Sequence, residues 1–153
     1  MKKIIIMVIM IALMPAAFAD ATKKDVPDVV NHKSYGVLKI LFPIRENKQK
    51  DFVEKLINAE NTYTAIHQYG GKATIKFLMY SSGVKLFVNP NPELAAAIDT
   101  ARDDGVHFLF CNNTMKTLKI HSSDLYFVNK KNLIPAGIPE IAYLENKGYK
   151  AIY

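Results

Sequence analysis

The chain has 153 residues, half of them hydrophobic and 22% charged, with a formal net charge of +6 at pH 7 and a single cysteine. That length fits one domain with one core. One thiol excludes an internal disulfide and a thiolate metal site within one chain, and the lysines are spread along the sequence, so the mild basic balance speaks for solubility rather than for nucleic-acid binding.

The first residues read as a targeting leader. Lys2 and Lys3 precede an unbroken apolar run from Ile4 to Leu13, which is too short to span a bilayer. Pro15 breaks any helix there, and Ala17-Phe18-Ala19 offers the small residues that a signal peptidase requires. Residues 1–19 are therefore expected to be a signal peptide cut after Ala19, which takes the charge from +6 to +4. No cysteine follows the cut, so no lipid anchor is expected and the mature protein should be free of the membrane, in the periplasm. The polar residues 20–33, with Pro27, read as a loose arm, leaving 34–153 as the folded domain.

The domain alternates strand-like and helix-like stretches. Val37 to Ile44 has the continuous apolar character of a buried parallel strand. Asn47 is the expected cap of a helix whose apolar face is Phe52, Leu56, Ala59, Tyr63 and Ile66, stopped by Gly70-Gly71. Thr74 to Tyr80 is the second strand, followed by the turn Ser81-Ser82-Gly83 and a short helical connection from Val84 to Val88. Asn91 caps the next helix, with Pro92 at its first position and Glu93 near its positive end. Val106 to Phe110 is the third strand and leads into Cys111; Asn112 to Leu118 is a turn and short helix. Lys130 to Ile134 is a fourth strand, Pro139 opens a last helix bearing Ile141, Ala142 and Leu144, and Tyr149 to Tyr153 is a final short strand. The alternation predicts an α/β fold, a three-layer α/β/α sandwich around a mostly parallel sheet of about five strands.

Ligands of such sheets bind at the carboxyl ends of the strands. Three turns bring polar groups there: Ser81, Ser82 and Gly83 after the second strand, Cys111, Asn112, Asn113 and Thr114 after the third, and Pro135, Ala136 and Gly137 after the fourth. They are expected to converge on one crevice with Cys111 at its floor or rim. A helix starting just after Cys111 would aim free backbone N–H groups at the sulfur, and Asn112, Asn113 and Thr114 add capping or donor groups. The same position also suits a small buried hydrophobe, or a thiol bonded to a second chain. His32, His67, His107 and His121 lack metal-ligand spacing, and His107 sits roughly 13 Å from Cys111 along the strand, too far for a direct base. No phosphate-binding glycine loop or serine nucleophile elbow occurs.

Three stretches in order carry a resemblance: Tyr80 to Phe87 (YSSGVKLF), Gly105 to Thr114 (GVHFLFCNNT), and Ile134 to Glu140 (IPAGIPE) followed by Gly148-Tyr149. From Val37 to Tyr153 the chain resembles the DsrE/DsrF-like family of sulfur-handling proteins. The resemblance implies the DsrEFH-like sandwich, a trimeric or hexameric assembly, and a sulfurtransferase-type role in which Cys111 carries sulfane sulfur as a persulfide. A sulfur donor and an acceptor, protein or small thiol, would be the partners, with no metal or organic cofactor. Asn112 departs from the glycine that follows the cysteine in the family, and the leader departs from its cytoplasmic relays. The competing expectation is a non-catalytic oligomeric module that binds a small ligand or partner while Cys111 is merely buried.

Overall fold

The structure is a computed structural model and describes residues 33–153. The expected signal peptide, its cleavage site, His32 and nearly all of the expected arm lie outside the described residues. Five strands form one sheet in the order β4-β3-β2-β1-β5, and every pairing between them is parallel. The strands are β1 (Val37–Ile44), β2 (Lys72–Met79), β3 (His107–Cys111), β4 (Leu133–Ile134) and β5 (Lys150–Ala151). Between them run the helices α1 (Gln49–Gln68), α2 (Pro92–Asp103), α3 (Asn112–Leu118) and α4 (Gly137–Asn146), with a 3₁₀ helix at Ser81–Phe87.

Alternation along the strands divides the core in two. Phe42, Ile44, Ile75, Phe77, Met79, Phe108 and Phe110 face one side, where α1, α2 and α3 supply Phe52, Leu56, Leu94, Ile98 and Met115. Leu41, Leu78, Leu109 and Ile134 face the other side, covered by Ile141 and Leu144 of α4. This is the expected α/β/α sandwich. Phe77 stacks on Phe42 at 4.8 Å, and Phe87 meets Phe110 edge-on at 4.8 Å, so the thicker layer is also the more aromatic one.

Several boundaries differ from the sequence reading, each for a local reason. The cap of α1 is Lys48 rather than Asn47; Lys48 is extended, its side chain makes no cap bond, and its carbonyl accepts from Phe52 N–H at 3.0 Å. β2 starts at Lys72 because its N–H donates to Gly36 O at 2.7 Å and its register with β1 begins at Val37. The turn Ser81-Ser82-Gly83 and the connection after it are one continuous 3₁₀ helix. β4 keeps only two of its five expected residues, because Asn129 and Asn132 cap a separate 3₁₀ turn over Lys130–Asn132 and the Asn132 amide donates to Phe108 O at 2.9 Å. α4 begins at Gly137, which places Pro139 inside its first turn, where the missing N–H costs nothing. β5 is likewise short, with Ile152 N–H adding one further bond to Leu41 O at 2.8 Å. The α2 start is as expected: the Asn91 side chain accepts from Leu94 N–H at 2.9 Å. Among the described residues, no helix is long and apolar enough to cross a membrane.

Candidate functional site

β3 ends in Cys111, which is also the cap of α3: its Sγ accepts the Thr114 N–H at 3.4 Å. The hydroxyl of the same threonine accepts the Ser81 N–H at 3.0 Å, tying α3 to the end of β2. Ser81 has φ +51°, a left-handed conformation that non-glycine residues seldom adopt and that surrounding structure must hold in place. From there the network reaches β1. Ser82 Oγ donates to Arg45 O at 3.1 Å, and Gly83 N–H donates to the same carbonyl at 2.9 Å. Position 83 has to be glycine, since a Cβ there would run into the Ile44 carbonyl.

The third turn joins from the opposite side. Asn113 N–H donates to Pro135 O at 3.2 Å. Gly137 lets α4 start close against β2, because a Cβ at 137 would lie 2.8 Å from Tyr80 Cβ. α3 packs on the aromatic face of the sheet and α4 on the other, so the chain leaves β3 and β4 toward opposite faces. Cys111 is paired with Ile134 where those two paths part.

The three turns therefore converge, as expected, but not all of their side chains share one recess. Ser81, Ser82, Asn113 and Thr114 line a shallow cleft of about 450 Å³ together with Tyr80 and Thr117. Asn112 lines a different recess, with Met115 and His121. Cys111, Pro135 and Gly137 are not on the wall of the first cleft; Cys111 and Gly137 are buried and Pro135 is exposed. Cys111 is 4% exposed, so its thiol sits beneath the crevice instead of at an open floor. Tyr80 and Arg45 are the residues that sequence reasoning passed over. Both lie one step past the strand ends, and only the parallel register sets Tyr80 between the end of β1 and Cys111.

His107 stands at the start of β3, at the far end of the strand from Cys111. Its pKa is lowered, first by desolvation and then by the lysines Lys76 and Lys131. Among the described residues there is no group of three or more His, Cys, Asp or Glu side chains able to hold a metal.

The sequence model of the DsrE/DsrF-like family matches residues 41–153. No curated protein matches the chain. Among solved structures, a protein of unknown function from Methanobacterium thermoautotrophicum has a similar fold, with a TM-score of 0.65 and 19% identity. The likeness covers 75% of this chain and 97% of that one.

Proposed function

Because the chain belongs to the DsrE/DsrF-like family, we propose that it handles sulfane sulfur, carrying it as a persulfide on Cys111. The supporting observation is the backbone N–H of Thr114 aimed at Sγ where three strand-end turns meet. A donor of this kind stabilises negative charge on sulfur without any metal. In the transfer, the Cys111 thiolate attacks the outer sulfur of a persulfide donor. The donor S–S bond breaks and its thiolate leaves, so Cys111 holds the new sulfur as a persulfide anion. An acceptor thiolate then attacks that terminal sulfur and frees the Cys111 thiolate. Each step exchanges one S–S bond for another, with no net oxidation.

A thiol with 4% exposure takes part only when its cover opens. The Thr114–Ser81 hydrogen bond is the contact to release, since it joins α3 to the strained turn beside it. Ser81 to Gly83, Asn112, Asn113, Pro135 and Gly137 shape the surroundings of the sulfur in this reading. The leader-like pattern of residues 1–19 supports a periplasmic setting for this proposal, and a trimer or hexamer is the proposed assembly, with a sulfur donor and an acceptor as partners.

One observation favours a second reading. The same burial of Cys111 suits a binding module with a structural thiol. The two separate on incubation with a persulfide donor followed by intact-mass measurement. Sulfur carriage requires a gain of one sulfur atom that vanishes in Cys111→Ser; a structural thiol gives no gain in either protein.

A further inference from the structure

We propose that the cleft at the carboxyl end of β1, walled by the first turns of α1 and by Tyr153 beyond β5 and separate from the Cys111 corner, binds a small organic anion with an apolar body. The proposal goes beyond sulfur carriage and does not require it. The strand order shows where to look. The sheet grows from β1 through β2 and β3 to β4 in one direction, and then β5 lands on the opposite side of β1. In open parallel sheets the carboxyl edge at this reversal of strand order is where ligands bind. A cleft of about 400 Å³ lies there, within the range of small-molecule sites.

Its lining suits an anion. Arg45 and Lys55 both face the cleft, and among the described residues neither forms a salt bridge, although the Arg45 charge also acts on Glu46. Lys55 is half-buried, so its charge is held near apolar walls instead of in open solvent. Two carboxylates also line the cleft. Glu46 is engaged by Lys48 at 3.0 Å. Asp51 lies in the first turn of α1, where the positive end of the helix dipole offsets it. That leaves Arg45 and Lys55 to meet a ligand. Ile44, Phe52 and Tyr80 provide the apolar and aromatic wall. The Arg45 backbone is already fixed by the bonds from Ser82 and Gly83, so binding has to order only its exposed side chain and not the turn that carries it.

The test is a titration of the full mature chain followed by backbone amide NMR, with benzenesulfonate as the anionic probe and benzylammonium and benzyl alcohol as its cationic and neutral counterparts. Benzenesulfonate should give saturable shifts at Arg45, Lys55 and Tyr80. The double variant Arg45→Ala, Lys55→Ala should weaken it by roughly tenfold or more, which is about 1.4 kcal/mol. Arg45→Lys should retain most of the binding. Cys111→Ser should bind as the native protein does, which keeps this site independent of sulfur carriage. Equal shifts with benzylammonium, unchanged affinity in the folded double variant, or no saturable shift at Arg45 and Lys55 would each overturn the proposal.

Discussion

The carboxyl ends of β3 and β1 lie on one edge of one sheet, and they are built in opposite ways. At β3, the parting of the chain toward two faces is bridged: Asn113 bonds to Pro135, Thr114 to Ser81, and Cys111 is left 4% exposed. At β1, where the strand order reverses, lies an open cleft with two cations that form no salt bridge among the described residues. The only cysteine is thus on the closed side, and a recess lined by five charged side chains is on the open side. Tyr80 stands between them, on the wall of both clefts. This separation teaches that a reactive residue and a preformed cleft need not coincide, even when one hydrogen-bonded network runs from one to the other.

The strongest way to break the separation is at the glycine both regions share. Gly83→Ala sets a Cβ against the Ile44 carbonyl, which only a backbone shift can relieve. A stability loss of about 3 kcal/mol is expected from urea unfolding. Because Gly83 N–H also holds Arg45 O, amide shifts should appear at the ends of both β1 and β3. Shifts confined to one end would show that the two regions are not joined through this turn.

A smaller change separates them. Thr114→Val removes the hydroxyl that accepts from Ser81 and should cost about 1 kcal/mol. Its larger signature is kinetic: native-state labelling of Cys111 by a thiol reagent should accelerate several-fold, roughly in step with the lost bond. Asn91→Ala supplies the control. It removes the α2 cap at a similar cost of about 1 kcal/mol without touching the Thr114–Ser81 bond, and should leave native labelling of Cys111 nearly unchanged. Equal acceleration in both variants would mean that Cys111 is reached only through global unfolding.

The least effect is expected from pH. Burial and the neighbouring lysines lower the His107 pKa in the folded state, so the unfolded chain binds the proton more readily. Stability is then full above the ordinary histidine range and falls as the pH drops through it. His107→Gln should flatten that part of a pH–stability profile. The thiol-labelling ratio of Thr114→Val to native protein should not change with it, since His107 sits at the other end of β3.

Much of this architecture was legible in the chain itself. The alternation of apolar runs with Asn91-Pro92 and Gly70-Gly71 punctuation located the three longer strands and the helices between them. The three polar turns were expected to meet, and the hydrogen bonds among Ser81, Thr114, Asn113 and Pro135 bring them together. What escaped is what depends on distant partners. β4 and β5 pair over only two residues each, β4 because the turn capped by Asn129 and Asn132 takes up the residues before it, which no local pattern records. The α1 cap moved to Lys48, a residue with no capping chemistry, because the path out of β1 determines where the first turn closes. The burial of Cys111 was not legible either, since alternation along β3 cannot say what packs over a strand end. That Arg45 and Lys55 share a cleft depends on how α1 folds back beside the end of β1, which spacing alone does not give.

The chemical state of Cys111 after exposure to a persulfide donor tests sulfur carriage most directly. Intact-mass spectrometry of the native protein should show one added sulfur atom, removed by reductant and absent from Cys111→Ser. A native protein that gains no sulfur, and whose thiol reacts only after denaturation, would contradict sulfur carriage and leave Cys111 as a structural residue at the end of β3.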